Sequence, residues 1–380
     1  MSDRRTFLKG ATAAGLAVSE VLRPWANLRL LVLGGTGAIG PYFVQAAVAR
    51  GHRVTVFSRG KTAAELPTEV ERLIGDRNGD LESIRRRDWD AIIDVATFGP
   101  GWVRSLAEAL GGRVPHYTFI STVSVYDNPT PNSVTTEESP VLSYQGAADP
   151  YAVVTHVGDD YGALKGLCER EAEKQFPNRA LILRPGYIGG PGDSRALTYW
   201  AVRADKGGEI LAGSSPATPV QYIDVRDLAE WAVRMIERRG VGTYNAVGPA
   251  APTNLAHLLA LAVKTFSPSS RVTWVPSSWL LAQGRGEWWG TLLFFSHGVG
   301  NIMRMSNQRA LASGLTTRPI ETTLRDILDW YRSQTAEQTA SLITGFRHQA
   351  DGSWTSAKST WTDYLTKEEQ MLAKWHRQAR

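Results

Sequence analysis

Apolar residues in the first half of the chain gather in short stretches of strand length, the first of them nearly continuous. Residues 28–33, apolar but for Arg29, open the series. That first run suits a strand buried on both faces. Further strand-like stretches follow at 53–57, 70–74, 91–95, 116–122 and 180–183. Between them lie stretches with helical character at 39–50, 102–110 and 159–176, the last closed by Pro177. Strands alternating with helices at this spacing predict βαβ crossovers and therefore a parallel, doubly wound α/β sheet of the Rossmann type.

Beyond Gly186 the alternation fails. Residues 198–206 read as a helix, 220–225 as extended chain and 227–237 as another helix. A tryptophan-rich segment at 279–295, with Trp288 and Trp289 adjacent, supplies material for a smaller C-terminal, substrate-binding lobe. The expected organisation is a leader at 1–26 and a doubly wound Rossmann-type domain at 27–190. A lobe over 191–335 follows, in which 220–247 returns to the first domain, and then a helical extension over 336–380. Thr366 with Glu369 forms a capping-box pattern, which places the start of the last helix there and carries it to Arg377.

The composition narrows the function. With 380 residues, 43% hydrophobic and 21% charged, the chain can bury a sizeable core. A single cysteine, Cys168, excludes an intrachain disulfide framework and a multi-thiolate metal site. No metal is expected. No run of 18 apolar residues marks a membrane span. The net charge of +5 is scattered, and its one local run, Arg85-Arg86-Arg87, reads as a solvated helix face, so nucleic-acid binding is not expected. Arg4-Arg5-Thr6-Phe7-Leu8-Lys9 resembles a twin-arginine export signal. A small-residue run from Gly10 to Ser19 follows it, interrupted at Glu20. Export by that route is the expectation, and a cytoplasmic enzyme with a basic leader is the alternative.

Gly34-Gly35-Thr36-Gly37-Ala38-Ile39-Gly40 lies between the first strand and the first helix. Glycines at 34, 37 and 40 let the backbone approach a pyrophosphate, at which the helix aims its free amides. Where the second strand ends, a carboxylate would hold the ribose 2′-hydroxyl of NAD; this chain has Ser58 and Arg59. That pair accommodates a 2′-phosphate, which favours NADP over NAD. The competing reading is a surface arginine that never meets cofactor. Asp76, beside Arg77 after the third strand, could bond adenine or could simply shape a turn.

Tyr161 and Lys165 stand four residues apart, on one face of a helix. An ammonium that close stabilises a phenolate and fits the tyrosine for proton transfer near neutral pH. Ser121, Thr122 and Ser124, where the fifth strand ends, offer hydroxyls to the same place.

With these motifs in order, residues 28–335 resemble the extended short-chain dehydrogenase/reductase family, in its NAD-dependent epimerase/dehydratase branch. The resemblance implies that the glycine turn binds the dinucleotide, that Tyr161 is the acid/base, and that Lys165 orients the nicotinamide ribose. It places the substrate-polarising hydroxyl at Thr122, with Ser124 the second candidate. It brings Ala96 and Pro185 to the cofactor, the latter within Arg184-Pro185-Gly186-Tyr187, a segment that packs beside the nicotinamide. Tyr222-Ile223-Asp224-Val225-Arg226-Asp227 and Thr317-Arg318-Pro319 match later stretches of the pattern. One departure is plain: Val220 stands where nucleotide-sugar epimerases carry an arginine that grips the diphosphate. Arg195 or Arg203 could replace it.

The expectation is an oxidoreductase acting on a hydroxyl or carbonyl of a sugar-like small molecule by transient hydride transfer, assembled as a homodimer. A carbonyl reductase is the alternative. A dinucleotide-sensing or RNA-binding protein is the alternative from another class, and the intact Tyr161/Lys165 pair speaks against it.

Overall fold

A computed structural model describes residues 26–127, 133–152, 160–193, 196–283, 303–348 and 354–378. The leader, and with it the twin-arginine pattern, lies outside them.

The larger lobe begins with β1 (Arg29–Leu33), α1 (Gly40–Ala49), β2 (Arg53–Ser58), β3 (Glu71–Ile74), α2 (Glu82–Arg85) and β4 (Ala91–Asp94). It continues with α3 (Pro100–Leu110), β5 (Tyr117–Ile120), α4 (Tyr161–Gln175) and β6 (Ala180–Pro185). With β10 (Gly242–Ala246), the strands form one seven-stranded sheet in the order β10-β6-β5-β4-β1-β2-β3, every pairing parallel. The apolar run of β1 now has its reason. Leu30 and Val32 of β1 face one hydrophobic core and Leu31 and Leu33 face another, all fully buried. Helices α1 and α6 (Val225–Glu237) pack together over the first face, α3 and α4 over the second.

β1 continues to β2 on one side and neighbours β4 on the other, so the chain order reverses between β1 and β4. In open parallel sheets that reversal opens a crevice at the carboxyl ends of the strands, where ligands bind.

The second lobe is built from β7 (Ile188–Gly189), α5 (Ala196–Lys206), β8 (Glu209–Ala212), β9 (Pro219–Asp224), β11 (Gly248–Asn254), α7 (Leu255–Phe266) and β12 (Arg271–Trp274). α8 (Ser277–Gln283), α10 (Ile320–Ser333), α11 (Ala336–Thr339), a β13 (Ser341–His348)/β14 (Trp354–Thr360) hairpin and α12 (Trp361–Gln378) follow, while α9 (Gln308–Ala312) packs back on β10 of the larger lobe. Of the stretch 220–247, α6 and β10 join the larger lobe. β9 instead forms a small sheet with β11 and β7. The later motifs clasp each other here. Arg318 donates to Asp227 (Nε to Oδ1 2.6 Å), and Arg226 to Asp224 at 2.7 Å.

The last helix differs from the expectation. It starts at Trp361, not at Thr366, because Thr360 Oγ1 caps it by accepting from the Asp363 N–H at 3.1 Å. Thr366 is an interior position that bonds back to the Thr362 carbonyl, and Glu368 is drawn into the core. Most of the tryptophan-rich segment, including Trp288 and Trp289, lies outside the described residues.

Candidate active site

The turn between β1 and α1 is as tight as its glycines allow. Gly34 has φ +80°, and a Cβ there would lie 2.4 Å from that of Ala96 at the end of β4. A Cβ on Gly40, the first residue of α1, would lie 2.2 Å from the Gly34 carbonyl oxygen. The backbone therefore folds onto itself at the crevice and leaves a cradle without side chains. That is what a pyrophosphate at a helix N-terminus needs. Gly35 is buried against Val56, Ala38 is exposed, and Ile39 packs on the core beneath α1.

From this turn a cleft runs over the ends of β2 and β3. Gly34, Thr36, Gly37, Ser58, Arg59, Asp76, Arg77 and Ala96 all line it, so the residues picked out in separate segments converge. Lys61, Thr62, Asn78, Phe98 and Trp102 line it too. The residues present fit a dinucleotide. There is a bare glycine turn, a hydroxyl and two cations where β2 ends, and apolar rings along the wall. Asp76 Oδ1 accepts the Asn78 N–H at 2.9 Å, so it shapes the turn after β3 while lining the cleft. Arg77 lines the cleft with part of its side chain, but its guanidinium turns inward to Asp94 in a bidentate ion pair at 2.8 Å.

Tyr161 and Lys165 sit beyond the far end of the cleft. α4 starts at Tyr161 itself. A Cβ on the next residue, Gly162, would lie 2.1 Å from the Ser124 carbonyl oxygen, so only glycine lets the helix start so near the turn that follows β5. That turn is made by Thr122, whose Oγ1 accepts the Ser124 N–H and donates to Ser124 Oγ, both at 3.1 Å. This is why β5 ends at Ile120 and does not extend through Thr122. Thr122, Ser124 and Tyr161 are thereby brought to one corner. Phe98 connects this corner with the cleft, its ring centroid 6.2 Å from that of Tyr161.

Lys165 is 2% exposed. Its Nζ donates to the Ile120 carbonyl at 2.6 Å and to the Thr97 carbonyl at 3.0 Å, and lies 4.2 Å from the centroid of the Phe119 ring. Burial pushes its pKa down to about 8 against the pull of Cys168, Asp94 and Glu169. The ammonium is thus held in place by carbonyls, with no direct counter-charge among the described residues. Pro185, buried at the end of β6, lies in register with Ala246.

The model of the NAD dependent epimerase/dehydratase family matches residues 30–247. The chain belongs to this family. Among curated proteins it is similar to the chloroplast stem-loop binding protein of 41 kDa b of Arabidopsis thaliana, 25% identical over 221 residues. That match covers 53% of each chain, so the present chain spans about half the length of this relative. It is also 24% identical over 345 residues to a dTDP-4-dehydro-6-deoxy-D-allose reductase of Streptomyces bikiniensis, covering 82% of this chain and 98% of the reductase. Among solved structures, a nucleoside-diphosphate-sugar epimerase from Pseudomonas aeruginosa superposes with a TM-score of 0.58 at 18% identity. The superposition covers 81% of this chain and 98% of that one.

As a member of the epimerase/dehydratase family the chain is an NAD(P)-dependent enzyme, and the substrate side shows where it departs from its pattern. Val220 is buried in β9 at 1% exposure. Arg203 does not replace the missing arginine. Its Nε is held by Glu368 at 2.6 Å, and its remaining nitrogens donate to the Gly207 and Glu209 carbonyls. Arg195 lies outside the described residues. Sequence reasoning missed Gly162, for which the adjacency to Tyr161 was the available signal. It also missed Asp94, which no local pattern connects to Arg77. No helix among the described residues is long and apolar enough to cross a membrane.

Proposed function

We propose that the enzyme interconverts a sugar-like alcohol by transient oxidation, with Tyr161 as acid/base, and that NADP is its preferred dinucleotide. The observation that carries the reading is the glycine-permitted approach of Tyr161 to the Thr122–Ser124 turn, with Lys165 sealed one helical turn behind it. A nicotinamide bound along the cleft would accept hydride from the carbinol carbon and return it. Tyr161 removes the hydroxyl proton and gives it back, and Lys165 stabilises the phenolate. Thr122 or Ser124 bonds the same substrate oxygen.

Epimerisation suits this corner better than dehydration, which needs a second acid/base to expel a hydroxyl. Glu169, one turn beyond Lys165, is taken up by Arg184 and by Ser121 Oγ, which donates to it at 2.5 Å. Net reduction of a carbonyl is the second reading, favoured by the similarity to a sugar reductase along almost its whole length. Ser58, Arg59 and Lys61 in the cleft support NADP.

The deciding experiment is Tyr161→Phe, which deletes one ionisable oxygen. Turnover should fall by about 10² to 10⁴ while dinucleotide binding stays within a few-fold. Wild-type turnover in this variant would overturn the reading. Stoichiometric consumption of added NADPH by the unaltered enzyme would select the reductase.

The leader and the assembly complete the proposal. Export of the folded enzyme by the twin-arginine route is tested by Arg4→Lys with Arg5→Lys, which should keep the protein in the cytoplasm. A homodimer is tested by light scattering.

A further inference from the structure

Beneath the cleft lies a polar cluster that the acid/base chemistry does not use. Asp94 ends β4 fully buried, and its carboxylate gathers donors from every side. Arg77 reaches it twice at 2.8 Å, the Thr97 hydroxyl at 2.6 Å, the Tyr117 hydroxyl at 2.8 Å and the Ala96 N–H at 3.3 Å. Arg77 also donates to Thr97 Oγ1 and lies over the Trp102 ring, 5.4 Å from its centroid. Its own Nε is buried with no acceptor among the described residues. A buried ion pair with an unmet donor is a poor source of stability, since apolar residues of similar volume often do as well or better. The cluster therefore calls for another reason.

What it holds is the backbone of residues 95–97. Ala96 closes on the Gly34 turn, and the Thr97 carbonyl is one of the two that grip Lys165 Nζ. A single carboxylate thus fixes both a wall of the cofactor cradle and the acceptor that aims the lysine.

We propose that Asp94, clamped by Arg77, is a positioning residue for Lys165, holding the Thr97 carbonyl where it directs the ammonium to its working place. The proposal rests on the reading of Tyr161 and Lys165 as the acid/base pair. Among the described residues, the charged and titratable groups around Lys165 are Asp94 and Arg77 below it, Tyr161, Cys168 and Glu169 on its own helix, and Tyr117, which donates to Asp94 from β5. Asp94 and Arg77 carry opposite charges. Neutralising both together leaves the local net charge unchanged, but Asp94 raises the lysine pKa more than Arg77 lowers it, so Arg77→Lys, which keeps both charges, is measured beside the double variant to isolate position.

The test is the double variant Asp94→Asn with Arg77→Met, in which the amide still accepts from Tyr117. The exposed pair Arg29/Asp90, changed to Gln and Asn, is the control. With the clamp gone the lysine loses a firm acceptor and its ammonium is less favoured. The alkaline limb of the kcat/KM profile should move about one unit lower, and kcat should fall about tenfold. The dinucleotide Kd should rise as well, because the same carboxylate holds the Ala96 wall of the cradle and Arg77 lines the cleft. The pH limb and kcat, measured at saturating dinucleotide, therefore carry the test, and the control should match the wild type. A lower melting temperature with an unmoved limb would make the cluster merely structural and overturn the proposal. If the double variant does not fold, Arg77→Lys decides, since it keeps the charge but loses the fork; a smaller shift in the same direction is expected, and no shift overturns. Tyr161→Phe separates the two readings. If it stays active, the acid/base reading fails. If it is inactive while the limb is unmoved in the clamp variants, only the positioning role fails.

Discussion

Arg203 of α5 and Glu368 of α12, 165 residues apart in the chain, meet at 2.6 Å inside the smaller lobe, their side chains 5% and 1% exposed. Glu368 also accepts the Leu211 N–H at 2.8 Å, at the edge of β8. Burial drives its carboxyl pKa upward against the pull of Arg203. The last helix is therefore tied to the lobe by a charge, and by Tyr364, whose hydroxyl accepts from that of Tyr199 at 2.8 Å.

Removing one member strands the other. Glu368→Ala should destabilise the protein by about 3–5 kcal/mol, because the guanidinium is left buried and uncompensated. Glu368→Leu with Arg203→Met should cost much less. Urea unfolding of the three proteins checks this, and a single-variant loss below about 1 kcal/mol, the range of exposed pairs, would contradict the seating of α12.

Gly162→Ala puts one methyl group where the Ser124 carbonyl already is, 2.1 Å away. Either the start of α4 or the Thr122–Ser124 turn must move, and both carry the reacting groups. Misplacement of about 1 Å can lower rate about 100-fold, so kcat should drop on that scale with dinucleotide Kd nearly unchanged. Gly166→Ala on the same helix is the comparison. Its nearest neighbours stand at 3.8 Å, and alanine there should gain up to about 1 kcal/mol from helix propensity. Equal activity in both variants would deny that close approach matters.

Lys165 gives the enzyme a pH dependence whose sign follows from its burial. Its pKa in the folded, ligand-free enzyme is about 8, against roughly 10.4 for a free lysine. Above pH 8 the ammonium loses its proton and no longer stabilises the Tyr161 phenolate. The ratio kcat/KM should therefore fall on the alkaline side with an apparent pKa near 8, assigned to the coupled pair rather than to one residue. The same shift bears on stability. Between pH 8 and about 10.4 the unfolded chain binds the extra proton, so this group favours folding increasingly as pH rises through that window. Lys165→Met should abolish both dependences, and an alkaline limb that survives the change would place it elsewhere.

The parts legible in the sequence are those set by local pattern. The runs around Leu31, Val56 and Ile92 gave the sheet because each feeds two cores, and the glycines from Gly34 to Gly40 gave the cradle because φ and close approach leave no other residue. Tyr161 and Lys165 were visible because helical spacing alone puts them on one face. Partnerships across the fold were not visible. Arg77 reads as a cofactor ligand by its place after β3, yet Asp94, 17 residues on, takes its guanidinium inward. Thr366 and Glu369 form a sound capping pattern, but burial of Glu368 against Arg203 and the cap at Thr360 move the helix start five residues earlier. Tertiary contacts outweigh the short-range signal in both places.

The proposed preference for NADP rests on what stands at the end of β2. Ser58 Oγ accepts the Gly60 N–H at 3.3 Å, which keeps the turn close, and Arg59 and Lys61 face the same cleft. A 2′-phosphate carries nearly two negative charges, and each charge-assisted bond to it contributes about 1.5–3 kcal/mol. Replacing Ser58 by Asp and Arg59 by Asn removes one cation and adds a carboxylate that repels phosphate but bonds a ribose diol. The ratio of NAD to NADP dissociation constants should then shift toward NAD by about 100-fold, the equivalent of 2.8 kcal/mol at about 1.4 kcal/mol per decade. Lys61→Ala should give part of that shift by weakening NADP alone. Since Arg59 and Lys61 are exposed, added salt should weaken NADP binding more than NAD binding in the unaltered enzyme. Titration of both dinucleotides against the three proteins at two ionic strengths checks each statement. Tighter NAD binding by the unaltered enzyme would reverse the preference and leave Arg59 as a surface residue.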